Sequence, residues 1–277
     1  MAVNLASKYS KHIQTIYVKE SLVAGRLSQD YDFAGVKTVV VYTPTTVSMG
    51  PYTREGSNRY GTPTEMQDTK QELTLTQDRA FALTIDKGNN EDQMGAKSAG
   101  KMLQLQIAER AVPEFDKYAL GKMAAGAGKV NEGAALTKST ICDRISSGTE
   151  WLDDAEVPET DRTLWITAAG YKLLKHSEEF MAVEKIAGRA IAKGEVGTYD
   201  NMTVIKVPKS RMPDGVNFII AHRNAATAPV KMSETKIHQD PPGISGALLE
   251  GREYYDCFVF NAKKNGVYCD KNTSSGT

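Results

Sequence analysis

The sequence has few of the residues that build disulfide, metal and redox sites. Its 277 residues include 3 cysteines and 4 histidines. Cys142, Cys257 and Cys269 are odd in number and show no CxxC spacing, which argues against a disulfide framework or a zinc site and fits a reducing compartment. They read as small buried hydrophobes. His12, His176, His222 and His238 are scattered and form no HExxH, so no metal is expected. The charge also lacks a sign: 34 Lys+Arg balance 34 Asp+Glu. A chain that grips nucleic acid carries a basic excess or a basic stripe, and neither is present. A neutral chain has little self-repulsion to oppose association. No apolar run approaches the roughly 18 residues of a membrane span, so no membrane partner is expected. Met1 to Tyr9 lacks the apolar core of a signal peptide.

Catalytic motifs are missing too. A phosphate loop needs GxxxxGK[ST] after a strand; Gly128-Lys129 is followed by Val130, and position 123 is Met. No GxSxG elbow occurs. Asp153-Asp154-Ala155-Glu156 reads as an acidic turn after a helix, because adjacency does not hold two carboxylates across a cleft. No enzyme activity and no cofactor are expected.

What is present is a strand-rich start, a long helix and a mixed second half, which makes the class α+β. Residues up to about 30 carry scattered apolar positions, Leu5, Tyr9, Ile13, Ile16 and Tyr17, suited to a short helix and an extended arm. Lys37 to Tyr42 (KTVVVY) is a strand by its β-branched content. Glu72 to Asp86 alternates through Leu73, Leu75, Phe81, Leu83 and Ile85, and reads as one strand. Between them, Thr43 to Thr69 is rich in Gly, Pro, Thr and Tyr. The whole is a long hairpin that needs a surface to lie on, since two strands alone are marginal in water. Arg54, Arg59 and Tyr60 at its tip suit either a solvated loop or an intersubunit contact.

A helix is expected from Glu91 to about Val112, capped by Asn89 or Asn90, with Ala96, Ala99, Leu103, Ile107 and Ala111 on one face. Pro113 kinks or restarts it, and Phe115, Tyr118, Ala119 and Met123 continue the period. Gly126 to Gly133 reads as a flexible break between subdomains. Helix 140–151, strand 163–167, helix 168–175 and strands 203–207 and 217–221 follow, with Gly170, Gly188, Gly194 and Gly197 punctuating this half. Pro229 to His238 and Gly251 to Phe260 are strands. Lys263 to Gly266 suits a primed hairpin turn, with Val267 to Cys269 returning.

This order of parts resembles the tailed-phage major capsid proteins of the Hong Kong 97 type. The resemblance is carried by DYDFAGVKTVVVYTPTTVSM, YTREGSNRYGTP, ELTLTQDRAFALTIDKGNNEDQ and GREYYDCFVFNAKKNGVYCD. It implies an N-terminal arm over 1–35 and an extended hairpin loop over 36–90. The spine helix and the first part of a peripheral domain would fill 91–139, and an axial domain 140–235. Residues 236–277 would supply closing strands of the peripheral domain and a tail. It further implies self-assembly as pentamers and hexamers into an icosahedral shell around double-stranded DNA, with only weak, non-specific DNA contact. A scaffolding protein, a portal and in some cases a decoration protein would be partners. Location would be the virion, after assembly in the cytoplasm of a bacterial host. The chain starts close to the arm, so a scaffold in trans or a removed leader is expected. Some relatives cross-link a hairpin Lys to a peripheral-domain Asn; Lys70 lies on the return limb of the hairpin and Asn261 and Asn265 lie late, but no cross-link is expected here. An encapsulin-like compartment and a two-domain enzyme with a dispersed site are the alternatives.

Overall fold

The computed structural model describes residues 20–31, 33, 36–92, 97–177 and 195–273. Leu5 to Tyr17, Ala96, Gly188 and Gly194 lie outside the described residues.

Residues 20–31 form a strap across the body, with Leu22, Val23 and Leu27 buried in the main core. The buried indole of Trp165 donates to the Leu22 carbonyl at 2.9 Å. Asp116, fully buried, fixes the start of the strap. Its carboxylate accepts from Ser21 Oγ (2.6 Å), the Leu22 N–H (3.0 Å) and Arg211 Nη1 (2.7 Å). A buried charge is tolerable only when paired and hydrogen-bonded in this way.

β1 (Thr38–Pro44) and β2 (Asp68–Thr74) form an antiparallel two-stranded ribbon, with Thr38 opposite Thr74 and Pro44 opposite Asp68. β3 (Gln77–Asp86) starts two residues later in a different sheet. The single strand expected over 72–86 is therefore two strands. Leu73 and Leu75 belong to a small core with Phe33 and Phe260, whereas Phe81 and Ile85 belong to the second sheet. One alternating run serves two sheets, so the chain turns between them.

The expected helix is interrupted. α1 (Lys87–Asp92), α2 (Ala99–Gln106), a π-helical turn (Ile107–Ala111) and α3 (Val112–Ala125) replace it. Asn89 and Asn90 lie inside α1 and cap nothing; the Asn90 side chain instead accepts from the Lys97 N–H (3.0 Å) and donates to the Lys97 carbonyl (3.2 Å). Of the expected apolar face, Leu103 is buried, while Ala99, Ile107 and Ala111 are only half-buried. Pro113 stands in the first turn of α3, as a restart requires. It has no N–H to give the preceding turn, and that turn widens to π geometry.

β4 (Lys129–Gly133) overturns the expected flexible break. A Cβ on Gly128 would fall 2.6 Å from the Lys264 carbonyl oxygen, so this glycine allows close backbone approach rather than motion. α4 (Ile141–Asp154), β5 (Arg162–Thr167), α5 (Ala168–Lys175), β6 (Glu195–Tyr199), β7 (Met202–Val207) and β8 (Val216–His222) follow. Apart from β6, they fall where the periodicities place them. Asp153 and Asp154 close α4, and Asp153 pairs with Arg162 at 2.7 Å.

β9 (Ala226–Thr227), β10 (Val230–Gln239), β11 (Gly246–Tyr255), β12 (Phe258–Val259) and β13 (Val267–Asn272) complete the described chain. The strand expected over 251–260 starts earlier and breaks at Asp256. The expected primed turn is a 3-10 helix, Asn261–Gly266, and β13 does not return along its predecessor. It inserts between β8, antiparallel, and β4, parallel. Val267 to Asp270 are buried in succession, and such a strand belongs inside a sheet covered on both faces, here by α3 and the strap on one and α4 on the other.

The larger sheet runs β4-β13-β8-β5-β7-β6. Trp165, Ile205, Ile219, Val267 and Cys269 face α3 and the strap; Leu164, Ile166, Val204, Phe218, Ile220 and Tyr268 face α4. A smaller sheet, β10-β11-β3, lies beside α1 and α2 and meets the start of α3 through Phe115–Tyr255 and Arg79–Glu114. The large sheet draws strands from 91–139, 140–235 and 236–277, and the limit at 235 falls inside β10.

Candidate functional site

β1 alternates cleanly. Val39 and Val41 pack toward Phe33, Leu73, Leu75 and Phe260. Val40 and Tyr42 point outward, 39% and 57% exposed. Beyond the Pro44–Asp68 pair, residues 45–67 form neither helix nor strand, and every residue from 44 to 70 is exposed. Val47, Met49, Tyr60 and Met66 are among them, with Met49 wholly exposed.

The tip has local order. The Thr53 N–H donates to the Arg59 carbonyl (3.1 Å), and Arg59 Nε donates to the Gly56 carbonyl (3.1 Å). The rings of Tyr52 and Tyr60 meet edge-on at 5.0 Å. Arg54, Arg59 and Tyr60 therefore lie on one turn, as the sequence places them.

The base of the ribbon is built on Asp256, which is buried where β11 ends. Its carboxylate accepts from the Thr76 N–H (2.9 Å) and Oγ1 (2.7 Å), Tyr118 OH (2.8 Å) and the Cys257 N–H (2.7 Å). Burial, with Asp256 beside it, holds the Tyr118 hydroxyl above its usual range, so it remains a donor. Gln71 ties β2 to the chain after β12, donating to the Val259 carbonyl (3.0 Å) and accepting from the Asn261 N–H (2.8 Å).

Beside the base, a groove of about 470 Å³ runs between β3 and the π-helical turn, lined by Asp78, Arg79, Phe81, Arg110, Glu114 and Glu253 among others. Arg79 pairs with Glu114, and Arg252 holds Asp78 with two bonds (2.8 and 2.6 Å), which keeps the Asp78 carboxyl below its ordinary range. Burial, helped by Glu114, pushes Glu253 up. Burial also pushes Tyr255 to about 12. These acids are matched by arginines or shielded, an arrangement suited to holding a surface together rather than to proton transfer. Burial raises the Cys257 and Cys269 thiols to about 12, far from nucleophilic. Among the described residues no three His, Cys, Asp or Glu side chains are grouped to hold a metal.

No protein-family model matches the sequence, and no curated protein matches it. Solved structures do. A chain from Mycobacterium phage Che8 superposes with a TM-score of 0.76 at 16% identity, covering 96% of each chain. The capsid structure of cyanophage P-SCSP1u gives 0.74 at 12% identity, over 98% of this chain and 93% of that one. The mature capsid of bacteriophage PhiM1 gives 0.73 at 12%, with the same coverage. The fold is that of a phage capsid subunit.

In this capsid fold the tip residues were legible from composition, whereas the base was not. Asp256, Thr76 and Tyr118 are separated by up to 180 residues in sequence. The signal that points to Asp256 is an acidic residue inside the apolar run YYDCFVF.

Proposed function

We propose that this chain is the major capsid protein of a tailed phage, assembling as pentamers and hexamers into an icosahedral shell around double-stranded DNA. The observation that carries the reading is the fully exposed segment 44–70 on a chain whose fold, along its whole length, is that of phage capsids. The segment beyond the paired strands lacks a core of its own and gains one by lying on a neighbour. Head-to-tail contacts of this kind close into rings. In this reading the ribbon is the extended loop, Arg54, Arg59 and Tyr60 contact the next subunit, and α2, the π-helical turn and α3 form the spine. β5 to β8 belong to the axial domain. Scaffolding protein and portal act in assembly in the bacterial cytoplasm, a decoration protein binds outside where one exists, and DNA is enclosed without being gripped, as zero net charge allows.

Covalent cross-linking plays no part. Denaturing gels of mature particles are expected to show one subunit band; a ladder would refute this.

Negative-stain microscopy of the expressed chain, alone and with the phage's scaffolding protein, tests the main reading. Shells, tubes or rings of five and six are expected. A small particle that persists with scaffold present would overturn it.

A further inference from the structure

Two strands change sheets at the same level of the molecule. β2 leaves the ribbon and becomes β3 across Leu75-Thr76; β11 leaves the same small sheet and becomes β12 across Asp256-Cys257. Asp256 bonds to both corners, through the Thr76 N–H and hydroxyl on one and the Cys257 N–H on the other. Its remaining donor, Tyr118, belongs to α3. The Tyr254 hydroxyl adds a bond to the Leu75 carbonyl at 3.1 Å. The corner thus has a hydrogen-bonded side, centred on Asp256, and an apolar side, Leu73, Leu75, Phe33 and Phe260. Apolar packing is non-directional, whereas hydrogen bonds fix an angle.

We propose that Asp256 is a clasp that sets the direction in which the β1–β2 ribbon leaves the body and couples that direction to α3. A turn or shift of α3 carries the Tyr118 hydroxyl, the carboxylate follows, and Thr76 at the root of the ribbon moves with it. Asp256, Tyr118 and Thr76 are positioning residues in this device. It rests on contacts within one chain and holds whether or not the chain builds a shell.

The test is a distance measurement between spin labels at Ser48→Cys on the ribbon and Glu159→Cys beside the large sheet, in the full chain diluted with unlabelled chain. Cys142, Cys257 and Cys269 are buried, so labelling goes to the introduced thiols. Asp256→Asn and Tyr118→Phe are each expected to widen the distance distribution about twofold, because the ribbon then samples several directions. Ile145→Val, which weakens the core under α4, is the control and should leave the width unchanged. If Asp256→Asn does not fold, Tyr118→Phe, lacking one hydroxyl, decides alone. A parental distribution in the folded variants, or equal widening in the control, would overturn the clasp.

Discussion

Three aspartates, Asp116, Asp256 and Asp270, are buried almost completely, and each joins segments distant in sequence. Asp116 meets Arg211 and the strap; Asp270 accepts from Arg144 Nε (2.8 Å), Asn217 (2.8 Å) and Asn131 (3.0 Å). Removing one partner leaves a carboxylate stranded without its cation. Arg211→Met is therefore expected to cost about 3–5 kcal/mol, read from urea denaturation. Glu253 gives a pH-dependent counterpart. Its folded-state value is raised above the ordinary 4.5, so the folded chain holds the proton more tightly. The stabilisation is complete below 4.5 and is lost as pH rises through the folded value. Glu253→Gln should unfold at a higher temperature than the parent at pH 7, and the gap should close below pH 4.5. The thiols make a third case. With Cys257 and Cys269 near 12, only about one part in ten thousand is thiolate at pH 8. A disulfide thiol reagent should react with the native chain very slowly and with the urea-unfolded chain at once. None of the aspartate sites was legible beforehand. YYDCF shows an acid in an apolar run, whereas in FDKYA and YCDKN a lysine follows the acid at once, and periodicity says nothing about partners some hundred residues away.

Elements were read well wherever one local pattern served one core. Helix α4, strand β5, helix α5 and strands β7 and β8 follow their periodicities because each has a single buried stripe or is buried on both faces. Reading failed where one pattern served two surroundings. The alternation from 72 to 86 continues in phase across a change of sheet, so parity alone hides the corner. Asn265-Gly266 has turn composition, yet the partner of β13 is set by its four buried residues and not by its turn. Glycine misled for a similar reason, since composition cannot separate freedom from close approach. Two substitutions tell these apart. Gly128→Ala places a methyl against backbone and should cost about 1–3 kcal/mol. Gly121→Ala, inside α3 with open space around its Cβ, should instead stabilise the dissociated subunit by up to about 1 kcal/mol. Denaturation midpoints of the pair, measured side by side, check both signs.

At the scale of the molecule, the body and the ribbon answer to different demands. The body holds its cores within one chain. The segment 45–67 contributes nothing to them, since all of it is exposed. Replacing 45–67 by a two-residue Asn-Gly turn across the Pro44–Asp68 pair should leave the unfolding midpoint within a few degrees of the parent, because the ribbon keeps its paired strands. Under the shell reading the same variant forms no particles by microscopy or size-exclusion chromatography. A variant that still assembled would remove the ribbon tip from the contacts that build the shell.

The place of β13 has a consequence for synthesis. It lies between β4 and β8, which precede it in the chain by more than 40 residues, and it completes the interior of the sheet. Until residue 272 has cleared the ribosome, β4 has no neighbour in the sheet and β8 presents an open edge. A nascent chain in that condition offers one unpaired strand and one open sheet edge to its surroundings, the kind of surface that invites wrong pairing. A product that stops before residue 267 lacks an internal strand. Such a product is therefore expected to fail at folding, before a faulty copy can be built into anything larger.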